Sequence, residues 1–126
     1  MTHQGLTLSI ELELLKNSAE SIADQMALTI VRTARSSVAK HSMDFSTALV
    51  NARGDVVAQG LCQPRHMCAI PSAAGAVLDR YRDRCEPGDI YIVNDPYEGG
   101  THLPDIYLFE PCFLERRLLG FSCAIV

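Results

Sequence analysis

The spacing of apolar residues changes several times along the chain, and each change predicts an element. From Ser9 to Arg35, Leu12, Leu15, Ala19, Ile22, Met26, Ile30 and Ala34 recur every three or four residues, which makes one stripe of a helix. Ser9 is the expected N-cap, with Glu11 and Glu13 in the first turn. Arg32 and Arg35 lie at the far end, so the charges match the helix dipole. From 44 to 59, "DFSTALVNARGDVVAQ", the period shortens to that of strands, and "NARGD" supplies the turn of a hairpin. "GLCQPRHMCAIP" (60–71), interrupted by Pro64 and Pro71, is expected to be an irregular connection. A second helix over 72–85 follows, capped by Ser72 and stopped by "EPGD". "IYIV" (90–93) predicts a short buried strand, and 106–114 and 118–126 a second hairpin around "ERR".

The resulting order is α-β-β-α-β-β-β. It predicts an α+β fold with an antiparallel sheet of about five strands and two helices on one face. A GAF- or profilin-like layout is the specific form expected. The chain stops at "LLGFSCAIV", inside an apolar run with no turn or polar tail. Since termini are usually exposed, residues 1–126 read as a segment of a larger protein.

Composition narrows the function. With 126 residues, 48% of them apolar, the chain has material for one core. A net charge of −4 carries no nucleic-acid footprint. No apolar run approaches the roughly 18 residues of a membrane span, and the N-terminus lacks the basic region of a signal peptide. Five cysteines without a C-x-x-C pair argue for reduced thiols in a cytoplasmic protein rather than disulfides or a thiolate zinc site.

The chemistry concentrates in "NDPYEGGTHLPD" (94–105), a polar loop between two strands. His102 and Asp105 stand three apart on a backbone bent by Gly-Gly-Thr and Leu-Pro. On an ideal strand they would face opposite sides, but in a turn they can converge. An imidazole and a carboxylate together suit Zn, Mn or Fe, although a catalytic site usually takes three protein ligands. Spacing leaves open whether the two are ligands or merely cap a turn and a strand end. Asn-Asp-Pro marks Asp95 as a turn initiator. Gly99 and Gly100 would allow close backbone approach to a ligand, but no P-loop pattern accompanies them.

"GDIYIVNDPYEGGTHLPDIYLFEPCF" (88–113) resembles the signature of the hydantoinase B family. The similarity extends through "ESIADQMALTIVRTARS" (20–36), "MDFSTALVNARGDVVAQG" (43–60) and "PRHMCAIPSA" (64–73). That family comprises subunits of ATP-dependent N-methylhydantoinases, the matching half of 5-oxoprolinase, and a subunit of acetone and acetophenone carboxylases. Its members are several times longer, so the resemblance makes this chain an N-terminal segment. It implies that His102 and Asp105 are ligands of a divalent metal, with a third ligand just past Val126. His66 corresponds to a family histidine and becomes a catalytic candidate, as an acid–base or substrate-orienting group. Cys62 stands where many relatives show another histidine. Asp44 and Ser46 match the family's "DFS" element, where the aspartate is expected to accept local backbone hydrogen bonds. Tyr97 is either a pocket residue or packing.

The resemblance implies an ATP-dependent cyclic amide hydrolase acting on hydantoins or 5-oxoproline. A hydantoinase A-type partner would use the ATP and activate the carbonyl oxygen, and no nucleic acid or membrane would be involved. The alternatives are a metal-dependent subunit of an acetone-type carboxylase, acting on a ketone, and a non-catalytic GAF- or PAS-like small-molecule binding module.

Overall fold

The computed structural model describes residues 3–61 and 63–126; Cys62 lies outside the described residues. The elements run α1 (His3–Thr33), α2 (Ser37–His41), β1 (Ser46–Asn51), β2 (Val56–Gln59), α3 (Pro64–Tyr81), β3 (Tyr91–Val93), β4 (Tyr107–Leu114) and β5 (Arg117–Ile125). The strands form one five-stranded sheet in the order β2-β1-β5-β4-β3, antiparallel at every pairing. The expected α+β class, strand number and two hairpins are all present. β5 lies at the centre because two non-consecutive segments, β1 and β4, pair along nearly its whole length.

One face of the sheet forms the core. Ala48 and Val50 of β1, Tyr107 and Phe109 of β4, and Phe121, Cys123 and Ile125 of β5 pack with Ile70, Ala73, Ala74, Val77 and Leu78 of α3. The strand residues alternate as a half-covered sheet requires, and full burial of each large apolar side chain contributes about 1.5–3 kcal/mol. Phe121 meets Phe109 edge-on, with ring centroids 6.2 Å apart.

The two long helices do not share a face, contrary to what the element order suggests. Thr47, one residue from Ala48 and so on the opposite side of the pleat, donates from Oγ1 to the Ala23 carbonyl of α1 at 2.9 Å. α1 therefore docks on the face away from α3. It does so through Ala23 and Ala27, which are buried, while Leu12 and Leu15 of the expected stripe remain exposed. The small residues win because α1 comes close to the β1–β2 hairpin. A side chain at Gly60 would collide with the Ala23 carbonyl. Thr47→Val is expected to lower stability by about 0.5–1.5 kcal/mol, the net worth of one such hydrogen bond, measured by urea unfolding.

Three local expectations are corrected. α1 begins at His3, so Ser9 is no cap; its hydroxyl bonds back to the Gly5 carbonyl at 2.9 Å inside the helix. The short helix α2, capped by Ser36 through the Val38 N–H, interrupts the stretch before the first hairpin. The largest change concerns 60–71, much of which is helix. α3 starts at Pro64, where a missing N–H costs nothing, and runs through Pro71 to Tyr81. An interior proline costs roughly 3 kcal/mol. Here the burial of Ile70, Ala73, Ala74, Val77 and Leu78 on one helix face outweighs it. Ser72 is thus an interior residue, and a 3₁₀ turn at Arg82–Arg84 ends the segment.

Candidate functional site

The loop between β3 and β4 is built by its own polar residues. Asp95 accepts the Tyr97 N–H at 2.9 Å and so caps a 3₁₀ turn, Pro96–Glu98. Glu98 pairs with Arg80 of α3 at 2.6 Å, and Asn94 donates to the Leu103 carbonyl at 3.2 Å. Gly99 has φ +100°, and a Cβ there would lie 2.6 Å from the Ala73 nitrogen. Its glycine character permits this close contact with the backbone of α3. Tyr97 projects outward, 99% exposed.

Within this frame His102 and Asp105 converge as the bent backbone allows. The Asp105 N–H closes a turn onto the His102 carbonyl at 3.0 Å, and His102 Nδ1 lies 2.9 Å from Asp105 Oδ2. The two differ in setting: the His102 side chain is 55% exposed, that of Asp105 10%. Beyond the turn, Ile106 exchanges both backbone hydrogen bonds with Val126, which ties the loop to the end of β5.

His66 joins them from α3. Its position in the helical first turn, rather than in an irregular connection, places Nε2 3.1 Å from Asp105 Oδ2. Nδ1 lies 2.8 Å from Ser46 Oγ. Thr101 donates to the same Asp105 oxygen and receives the Tyr107 hydroxyl at 3.1 Å. Arg65 completes the group. Its Nε is 4.0 Å from Asp105 Oδ2, and its Nη2 pairs with Asp44. Asp44 is therefore an ion-pair partner at the site's edge rather than the local backbone acceptor expected.

The electrostatics follow from burial. Burial is the largest influence on Asp105 and alone would raise its pKa. The Thr101 hydroxyl, His66, His102 and Arg65 together outweigh it and hold the carboxyl below its ordinary range. Burial likewise dominates His66 and, aided by Arg65, lowers its pKa against the pull of Asp105. The permanent cation beside the pair is Arg65.

Sequence spacing brings out His102 and Asp105. It misses Arg65, Thr101 and Tyr107, and gives Ser46 no side-chain role. The "DFS" element and the Pro-Arg-His triplet are the signals available, but only the fold brings them to the loop. Among the described residues, no three His, Cys, Asp or Glu side chains close a metal site. Two of the donors present, one imidazole and one carboxylate that converge at 2.9 Å, suit a hard or borderline divalent ion. A groove of about 470 Å³ between α3 and β3 carries Asp95 and Glu98 on its walls, but none of His66, His102 and Asp105.

Comparison with known proteins gives a consistent picture. An uncharacterized protein of Methanocaldococcus jannaschii is 34% identical over 115 residues, covering 89% of this chain and 20% of that protein. 5-Oxoprolinase 1 of Arabidopsis thaliana is 34% identical over 112 residues, again 89% of this chain but 9% of the plant protein. The chain thus spans a fifth or less of these relatives' length. Among solved structures, an ATP-dependent caprolactamase from Pseudomonas jessenii superposes with a TM-score of 0.80 at 28% identity, over 93% of this chain and 20% of that one. An acetone carboxylase superposes at 0.82 with 21% identity, over 94% of this chain and 16% of that one, a likeness of fold. The sequence profile of one family matches residues 9–126, and the chain belongs to that family, hydantoinase B/oxoprolinase.

Proposed function

We propose that the chain forms part of a component that opens cyclic amides, such as hydantoins or 5-oxoproline, in an ATP-dependent reaction in the cytoplasm. The observation that carries this reading is the convergence of an exposed imidazole and a buried, anionic carboxylate, His102 Nδ1 and Asp105 Oδ2, at 2.9 Å. These two residues hold a divalent metal (Mn, Zn or Fe). A third ligand is expected from the segment that follows Val126 in the full-length protein, because no third His, Cys, Asp or Glu joins the two among the described residues. A bound ion would polarise the substrate oxygen or lower the pKa of water. His102 presents its ring to the solvent side, where a substrate would arrive, while Thr101 and His66 hold Asp105 from beneath.

A hydantoinase A-type partner uses the ATP to phosphorylate the amide oxygen. Water then adds to the activated carbon and the ring C–N bond breaks, leaving an acyl phosphate and an amine; a second water hydrolyses the acyl phosphate to carboxylate and phosphate. Ring opening is supported by relatives named 5-oxoprolinase and by a D-/L-hydantoinase component of a Pseudomonas strain, 31% identical. Carboxylation of a ketone is the second reading, supported by the fold of acetone carboxylase. The reduced thiols of Cys68, Cys85 and Cys112 suit a reducing compartment. Among the described residues no helix is long and apolar enough to cross a membrane.

The test is reconstitution of the full-length protein with a hydantoinase A-type partner. ATP-dependent ring opening of 5-oxoproline or a hydantoin, lost on chelation and restored by Mn²⁺, is expected. Consumption of acetone that requires bicarbonate would transfer the assignment to the carboxylase reading. Stoichiometric ligand binding without turnover of ATP would leave a binding module.

A further inference from the structure

We propose that His66 is a positioning residue. Locked by Ser46 as the neutral tautomer with its proton on Nε2, it donates to Asp105 and sets the direction in which that carboxylate faces His102. The deciding atom is a single hydroxyl hydrogen. Ser46 Oγ accepts the Gln63 backbone N–H at 2.8 Å, so its own hydrogen needs a different partner. His66 Nδ1 stands 2.8 Å away. Ser46 is fully buried and His66 is 1% exposed, so water offers no alternative acceptor. A stranded buried donor is costly, and Nδ1 therefore accepts. A neutral imidazole that accepts at Nδ1 carries its hydrogen on Nε2. That nitrogen is 3.1 Å from Asp105 Oδ2, and an ionised carboxylate can only accept.

The other arrangements each break something. Arg65 Nε lies 3.2 Å from His66 Nε2 and would donate to it if that nitrogen were bare. Nδ1 would then carry the hydrogen, and Ser46 would receive two donors with no acceptor for its own among the described residues. The bare Nε2 would also face the lone pairs of Asp105. An imidazolium would strand the same hydroxyl hydrogen and place a second cation beside the guanidinium. Among the described residues, the Nε2–H tautomer satisfies both fully buried donors, the Ser46 hydroxyl and the His66 ring N–H, and leaves the Arg65 Nε–H, on a side chain 48% exposed, to solvent. On the far side, Tyr107 donates to Thr101, which donates to the same carboxylate oxygen. Asp105 is thus gripped by His66 from α3 and by Thr101 from its own loop, and a histidine with both nitrogens engaged and almost no exposure does not touch substrate. Holding the orientation of a ligating carboxylate is what such outer partners do in metal sites, and losing one typically costs 10–100-fold in affinity.

The effect on metal binding rests on the metal reading above; the tautomer does not, and the test has an arm for each. Residues 1–126 contain four histidines; with ¹⁵N-histidine labelling and long-range ¹H–¹⁵N correlation, His66→Gln assigns the signals of His66 by their loss. In metal-free protein the hydrogen is expected on Nε2, with Nδ1 bare. Ser46→Ala is expected to let the tautomers mix. A hydrogen on Nδ1 or on both nitrogens, or a spectrum unchanged in Ser46→Ala, overturns the proposal. For function, His66→Gln keeps an N–H near the position of Nε2, whereas His66→Leu keeps bulk and loses the donor. Mn²⁺ affinity should fall about 10–100-fold in His66→Leu and recover largely in His66→Gln, with thermal unfolding recorded on both. Equal loss in the two variants overturns the positioning role. If wild type takes up no Mn²⁺, the metal reading falls and the tautomer is decided by the spectra.

Discussion

Asp105→Asn is expected to lower affinity for Mn²⁺ by at least about 100-fold while leaving the fold in place. Residues that only orient a ligand cost 10–100-fold when removed, so a ligand itself should cost no less. Asparagine keeps the shape and one oxygen for His66 or Thr101. It loses the charge that faces Arg65 and His102, and it turns a donor toward donors. The stability penalty should be about 1–3 kcal/mol, that of mismatched buried groups. Because the Asp105 carboxyl lies below its ordinary 3.8 in the folded protein, its contribution is present above that value and is lost as pH falls through the lower folded one. The stability gap between wild type and variant should therefore close in acid. His102→Ala gives the contrasting result: the exposed ring leaves stability within about 0.5 kcal/mol, while metal content drops sharply. Elemental analysis, Mn²⁺ titration and thermal unfolding on the three proteins decide the matter. Wild-type metal content in Asp105→Asn would remove Asp105 from the ligand set.

Gly99→Val should be the most damaging single change in the loop, costing about 2–5 kcal/mol from left-handed strain and forced repacking together. The φ of +100° is unsuited to a β-branched residue, and its Cβ would sit 2.6 Å from the Ser72 carbonyl carbon and the Ala73 nitrogen. Neither is a side-chain tip that can swing away; both belong to the backbone of α3. Relief requires the loop to lift from the helix, which also breaks Arg80–Glu98 and shifts the turn bearing His102 and Asp105. Metal affinity and thermal stability should fall together. By contrast, His102→Ala separates them. Full Mn²⁺ affinity in a well-folded Gly99→Val protein would show that the loop is positioned by something other than its seat on α3.

The sequence by itself determined a good deal. Apolar runs marked β1 and β2, β3, and the β4–β5 hairpin to within about two residues, because the pattern along a strand is a local consequence of burial; β3, expected to be buried, is instead an edge strand with Ile92 exposed. The Gly-Gly and Leu-Pro breaks around His102 and Asp105 allowed their convergence, since i and i+3 can meet in a turn without help from distant residues. "NDP" likewise declared the Asp95 cap. Other features were decided by tertiary structure. Pro71 reads as a helix breaker, and only the packing of Ile70, Ala73 and Val77 against the sheet carries the helix through it. α1 has an apolar stripe from Leu12 to Ala34, yet its fully buried contacts are Ala23 and Ala27 beside it, because close approach to Thr47 and Gly60 depends on the shape of the partner surface. Which face each helix covers is likewise a property of the crossing connections rather than of either helix. The grip on Asp105 joins Ser46, Arg65, His66, Thr101 and Tyr107 from four separate segments. No local period encodes it, because those side chains meet only after β1 and β4 have paired with β5 and α3 has closed over them.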